Sequence, residues 1–183
     1  MNALFLDRDG VINQRIVGGY VTRLEDFRLI DGVLEAMALF ARHFQRVFMV
    51  TNQQGIGKGL MSEGDLATIH AWFAKQVEDA GGRLDKIYYC PALKSEHSFM
   101  RKPSIGMALR ARRDFDDVVL HQSVMVGDTR SDMLFGRRAG MTTVLVGDEH
   151  EVALNAPHLV DYYFNDLISF AKFIDGHGKE FHA

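Results

Sequence analysis

The sequence predicts an α/β fold in which a parallel sheet carries helices on both faces. Three features predict it. Short apolar runs alternate with longer helical patterns along most of the chain, the first run is wholly apolar as a buried strand is, and several runs end in acidic or polar residues. ALFL at 3–6, bounded by Gly10, suits a strand over 3–7. VLEAMALFARHF at 33–44 has helical periodicity, RVFMVT at 46–51 is a second strand, and a long helical pattern covers 62–80. Ser62 and Asp65 form a capping signal for that helix, and Gly81-Gly82 stop it. KIYYC at 86–90, SVMVGD at 123–128 and TTVLVG at 142–147 are further strands, with a weaker YYF at 162–164. SIGMALRARRDF (104–115) and SDMLFGRRAG (131–140) supply the helices between them. The residues after about 166, with His177 and His182, read as an amphipathic helix followed by a frayed end. This alternation specifies a three-layer, Rossmann-like arrangement, and with no repeat or linker a single domain is expected over 1–183.

Composition narrows the functional classes. With 183 residues, 47% of them hydrophobic, the chain is long enough for one well-buried core. A net charge of −3 gives no general footprint for nucleic acid, so a small-molecule partner is expected. Cys90 is the single cysteine, which rules out an internal disulfide framework, and no apolar stretch approaches the ~20 residues that cross a bilayer. Without a signal-peptide pattern before the first strand, a cytoplasmic protein with no membrane partner is expected.

In open α/β sheets a ligand sits beyond the carboxyl ends of the strands. The first strand delivers Asp7 and Asp9 there, the second Thr51, Asn52 and Gln53, and the fourth Asp128, with Asp132 one turn into the next helix. Arg101 and Lys102 stand just ahead of the helix near Ser104. Each has a plain alternative: Asp-Gly is common turn chemistry, Thr51 a strand-end hydroxyl, Lys102 a solvated charge and Asp128 a helix cap. Together they can perform phosphoryl transfer. Asp7 and Asp128 offer the hard oxygens that Mg²⁺ prefers, a carboxylate can attack phosphorus, and Lys102 can neutralise the incoming phosphate. A second carboxyl beside the nucleophile, Asp9, can shuttle the proton.

DRDG (7–10), TNQQG (51–55), RKP (101–103) and GDTRSD (127–132) resemble, in order and context, the four motifs of the haloacid dehalogenase (HAD) superfamily. More narrowly, LDRDGVIN, GGYV, FRLIDGV and TNQQGIGKG are similar to its histidinol-phosphatase-like branch (subfamily III), especially to the heptose 1,7-bisphosphate phosphatases within it. The resemblance spans residues 3 to about 147. It implies a Mg²⁺-dependent phosphatase acting on a small sugar phosphate through an aspartyl-phosphate. Asp7 would be nucleophile and metal ligand; Asp9 would be acid/base and bind the metal through its backbone carbonyl; Asp128 would be the third ligand. Thr51 and Lys102 would hold the phosphoryl group, and Asn52, Gln53 and Arg101 would meet the rest of the substrate. Only about two dozen residues separate Asp9 from the helix at Val33, and the 90–101 segment is shorter, so the chain is similar to capless members. Tyr20 is then a candidate wall of an uncovered site, with an aromatic plug at the sheet's end as the alternative.

The chain departs from this pattern twice. The branch usually carries a zinc loop with a C-x-H pair and a C-x-C pair, yet in CPALKSEHSFMRKP only Cys90 remains, with Ala92, Ser98 and Met100 at the other positions. Cys90 and His97 make two good ligands where structural zinc takes four, so no zinc is expected. Thr129 stands where the heptose enzymes tend to have lysine, and Arg130 beside it is a candidate replacement. The rival readings are a phosphatase for histidinol phosphate or another small phosphomonoester, a DNA 3'-phosphatase, and a non-catalytic phosphate-binding protein. The acidic balance opposes the second, and the full set of catalytic groups the third.

Overall fold

The computed structural model describes residues 1–147, 150–178 and 181. Six strands form one parallel sheet in the order β3-β2-β1-β4-β5-β6: β1 Ala3–Leu6, β2 Arg46–Asn52, β3 Lys86–Cys90, β4 Val124–Gly127, β5 Thr142–Val146 and β6 Tyr162–Phe164. Every pairing is parallel. The helices are α1 Val33–His43, α2 Gln54–Gly57, α3 Glu63–Asp79, α4 Gly106–Asp114, α5 Arg130–Ala139, α6 His150–Asn155 and α7 Leu167–His177.

The alternation of side chains along each strand divides the interior into two layers. Leu4, Leu6, Val47, Met49, Val124 and Val126 face Phe40 of α1, Phe73 of α3 and Phe170 of α7. Their neighbours Ala3, Phe5, Phe48, Val50 and Met125 face Met107 and Ala111 of α4 and Phe135 of α5. All four residues of β1 are fully buried, as a central parallel strand covered on both faces must be. α3 opens on the expected reciprocal cap: Asp65 N donates to Ser62 Oγ at 3.1 Å and Ser62 N to Asp65 Oδ2 at 2.8 Å. Gly81, at φ +75°, stops it.

The expected strands and helices are present, with ends that shift by a residue or two. Two short helices had no periodic signal, since a single turn offers none: α2, where QGIGKG read as a glycine-rich loop, and α6. The tail forms α7, capped by Asp166, whose side chain accepts from Ser169 N at 2.8 Å. The expected frayed end with His182 lies outside the described residues. Between β1 and α1 the chain makes only a 3-10 turn at Leu24–Asp26 and two isolated bridges, which leaves the carboxyl edge of the sheet uncapped.

Register sets the level of that edge. Leu6 pairs with Met49 on one side and Val126 on the other, so Asp7 comes level with Val50 and Gly127, and Thr51 and Asp128 follow one residue on at the same edge. No helix among the described residues is long and apolar enough to cross a membrane.

Candidate active site

Asp7 continues β1, its N–H donating to Val126 O at 3.0 Å. Its carboxylate meets the Lys102 ammonium at 2.8 Å, and the same ammonium lies 2.7 Å from Asp132 Oδ1 and donates to Val50 O at 2.7 Å. The three protons of the ammonium thus have three acceptors, in a place where the lysine is only 3% exposed. Asn52 fixes the lysine's backbone from both sides: Lys102 N donates to Asn52 Oδ1 at 3.0 Å, and Asn52 Nδ2 donates to Lys102 O at 3.1 Å. Burial disfavours the charged lysine, but Asp132 and Asp7 outweigh it and hold Lys102 protonated above its ordinary range.

Asp7, Asp128 and Asp132 place carboxylate oxygens within 4.8 Å of one another. Two glycines permit this crowding. A Cβ on Gly10, itself at φ +94°, would lie 1.9 Å from Asp128 Oδ2, and one on Gly127 would lie 2.2 Å from the Asp132 Cβ. Burial, then Asp132, raises Asp7 to about 6 against the pull of Lys102. Burial, then Asp7 and Asp132, raises Asp128 to about 8 against Arg15 and Lys102.

Asp132 is already satisfied. Besides Lys102, it accepts from Thr129 N at 3.1 Å and Thr129 Oγ1 at 2.5 Å, so it caps α5 and holds the lysine. That leaves Asp7 and Asp128 for a cation. A cation is indeed drawn to this spot: Arg15 Nη2 lies 2.7 Å from Asp128 Oδ2 and donates to the Asp9 carbonyl at 3.1 Å. Two carboxylates and a carbonyl, all hard oxygens, suit Mg²⁺, which takes few protein ligands and leaves places for water and phosphate.

The Asp9 carboxylate points elsewhere. Arg8 Nη2 donates to its Oδ1 at 2.8 Å and Oδ2 at 3.0 Å, Asn13 Nδ2 to Oδ1 at 3.0 Å, and Gln53 Nε2 to Oδ2 at 2.9 Å. Burial pushes its pKa up, but the Arg8 charge and these bonds prevail and hold it below the usual carboxylate value. Gln53 Nε2 also donates to Thr51 Oγ1 at 2.8 Å, tying Thr51 to Asp9.

The expected substrate-binding residues divide. The resemblance gives Asn52 and Gln53 to the rest of the substrate, but both amides are committed inside the protein, one to the Lys102 backbone and the other to Asp9 and Thr51. Tyr20 rests on α2, its hydroxyl accepting from Gln54 Nε2 at 2.8 Å, with Lys58 Nζ 5.1 Å from its ring centroid. Arg101 donates to Ala92 O at 3.0 Å and also lines a cavity of about 600 Å³ with Lys94, His97, Lys102 and Arg130. Cys90 is buried, its thiol directed at Ser98 Oγ. Sequence reasoning placed Asp132 on the rim without giving it a role, and it did not reach Arg15 or Lys94. Asp132 had a signal, four residues after Asp128 in a helix's first turn. Arg15 and Lys94 had none, because loop residues reach a site only through the path of the chain.

Comparison with known proteins fits this geometry. The HAD-hydrolase-like family model matches residues 99–169. A D-glycero-beta-D-manno-heptose-1,7-bisphosphate 7-phosphatase from Photorhabdus laumondii is 37% identical over 182 residues, covering 95% of each chain. A D-glycero-alpha-D-manno-heptose-1,7-bisphosphate 7-phosphatase from Campylobacter jejuni is 39% identical over 149 residues, 81% of this chain and 84% of its own. The crystal structure of the D,D-heptose 1,7-bisphosphate phosphatase from B. bronchiseptica, complexed with magnesium and phosphate, superposes with a TM-score of 0.86 at 30% identity, covering 95% of this chain and 98% of that one. The buried lysine between two aspartates, the paired metal-type carboxylates and these relatives lead to one assignment: the chain belongs to the HAD phosphatases, in the family of the heptose-1,7-bisphosphate 7-phosphatases, and is a phosphoric monoester hydrolase.

Proposed function

We propose that the chain, acting as one domain, removes the 7-phosphate of D-glycero-D-manno-heptose 1,7-bisphosphate and leaves the 1-phosphate in place. The observation that carries this reading is the basic cavity opening beside Lys102, where Lys94, His97, Arg101 and Arg130 surround a volume of about 600 Å³. That setting suits a small sugar bearing a second anion. Asp9, ionised in the free site, takes up the proton of the incoming phosphate monoanion; Asp7 attacks phosphorus as the bond to the sugar oxygen breaks, giving an aspartyl-phosphate, and Asp9 passes that proton to the departing oxygen. Asp9 then takes a proton from water as that water attacks the phosphorus, freeing Asp7 and inorganic phosphate. Thr51 bonds a phosphoryl oxygen, and the Lys102 ammonium, its protons held by Asp7, Asp132 and Val50 O, stands beside it as fixed positive charge. Mg²⁺, held by Asp7, Asp128 and the Asp9 carbonyl, supplies neutralising charge.

Arg101 and Arg130 are the anion grips for the remote phosphate, and Arg130 takes the place of the lysine that Thr129 lacks. Net charge and the single cysteine support a cytoplasmic setting and a small sugar phosphate, rather than nucleic acid or a membrane, as partner. The test is phosphate release from the heptose bisphosphate, histidinol phosphate and a heptose monophosphate in parallel. The bisphosphate should have the highest kcat/KM, and Arg130→Ala should lower that value far more than the value for the monophosphate. Preference for histidinol phosphate, or equal losses on both sugars, overturns the substrate assignment.

A further inference from the structure

Behind Asp9 lies a group of buried polar atoms that the reaction above does not use. Arg8 is 1% exposed, Asn13 is fully buried and His70 of α3 is 7% exposed. The Nη2 of Arg8 donates to both oxygens of Asp9, but its Nε and Nη1 have no partner. Asn13 Nδ2 donates to Asp9 and to Gln14 O, while its Oδ1 is unpartnered. The Nε2 of His70 is likewise unpartnered. Buried polar groups are nearly always hydrogen-bonded, so two orphans on one guanidinium, a third on the Asn13 that shares Asp9 Oδ1 with it, and a fourth on His70, which feels the charges of Arg8 and Asp9, call for a joint explanation. The set is complementary: the arginine nitrogens are donors, the Asn13 oxygen is an acceptor, and a neutral imidazole offers one acceptor nitrogen.

Two further facts support the pairing. His70 is kept neutral at pH 7, its pKa pushed down to about 3 by burial and by the Arg8 charge. The Arg8 guanidinium carbon lies 5.6 Å from the Phe27 ring centroid, and Phe27 packs edge-on against Trp72 and Phe73 of α3, so the helix carrying His70 also supports the arginine.

We propose that His70 is a positioning residue for Asp9, acting through Arg8: a buried water accepts from one of the arginine's unpartnered N–H groups and donates to His70 Nε2 and Asn13 Oδ1, fixing the guanidinium that aims the acid/base. Such a water has the two to four polar partners that buried waters require. Residues that orient functional groups from behind typically change activity by about 10–100-fold when removed. This inference rests on Asp9 being the acid/base of the proposed reaction.

The test combines His70→Leu, His70→Gln and Asp9→Asn, assayed with Mg²⁺ and the heptose bisphosphate. His70→Leu should lower kcat by about 10–100-fold with KM changed less than about twofold, and His70→Gln, which keeps an acceptor, should recover most of the loss. In an Asp9→Asn background His70→Leu should add no further loss, since it acts through a group already removed. Should the leucine chain fail to fold, His70→Phe, which keeps a ring without an acceptor, is read in the same way. An unchanged kcat in the leucine or phenylalanine chain, no recovery with glutamine, or the same fold-loss with and without the Asp9 carboxylate overturns the role of His70. A wild-type rate in Asp9→Asn itself instead overturns the underlying assignment of Asp9.

Discussion

Replacing Lys102 with Met tests the centre of the site, because it keeps the length of the side chain and removes only its charge. The ammonium lies 2.8 Å from Asp7 and 2.7 Å from Asp132, and all three side chains are at least nine-tenths buried. Without it, Asp7, Asp128 and Asp132 face one another within 4.8 Å, with Arg15 the remaining cation on Asp128. Breaking a buried pair by deleting one partner costs about 3–5 kcal/mol, since the other charge stays buried. At roughly 2–4 °C per kcal/mol for a chain of this size, the metal-free variant should melt about 6–20 °C below wild type at neutral pH. The loss should shrink near pH 5, where the acids take up protons, and on adding Asp132→Asn, which removes one of the stranded charges. Calorimetry in EDTA measures both effects. Phosphate release should fall on the order of 10³-fold, as when a preorganised donor to a developing anion is removed. A melting point within about 2 °C of wild type in EDTA would show that the lysine does not offset the buried acids, and the electrostatic account of the site would fail.

The other predictions concern the same rim. Asp7→Asn should leave the fold intact and abolish phosphate release, because an amide does not attack phosphorus; substantial residual turnover would exclude the covalent route. Asp7 and Asp128 have pKa values raised from 3.8 to about 6 and about 8, so the folded chain holds more protons than the unfolded one across that window. Their contribution to metal-free stability is therefore full below about pH 4 and falls as pH rises to about 8; Asp128→Asn should flatten that fall, and an unchanged melting profile would refute it. Arg15→Ala should tighten Mg²⁺ binding about two- to fivefold in calorimetry, since the metal no longer displaces a partly exposed ion pair; weaker binding would show that Arg15 assists the metal. EDTA should abolish turnover and Mg²⁺ restore it, while elemental analysis finds no stoichiometric zinc; one zinc per chain would overturn the reading of the 90–101 segment.

How much of this was legible in the sequence depends on how local each signal is. The strands could be read because buried parallel strands are continuous apolar runs, and α3 because Ser62 and Asp65 mark its start. The catalytic rim could be read because parallel topology sends every strand's exit to one edge, so Asp7, Thr51 and Asp128 converge by register alone. Asn52 and Gln53 show where that logic stops. A strand's end fixes where a residue stands, but the partner of its amide is set by chain from elsewhere, the Lys102 backbone for one and Asp9 for the other.

The same limit explains why two cations of the site, Arg15 and Lys94, were hidden. A carboxylate that serves as nucleophile or metal ligand must sit within bonding distance of the reacting atoms, which ties it to a strand end or a helix's first turn. Cations act on anions over longer distances and through flexible side chains, so they can be supplied from loops without a fixed spacing. Lys102 is the exception: it is buried, its ammonium has three protein acceptors, and its backbone is clamped by Asn52. Arg15 and Lys94 belong to the looser class. In the proposed function, chemistry is built into the fixed acidic edge and Lys102, while the choice of substrate would rest on cations that a few substitutions can move. Under the proposed function, threonine at 129 with arginine one residue on is a change of that second kind: it would alter the reach of the site toward a remote phosphate and leave the Asp7–Lys102–Asp132 unit untouched.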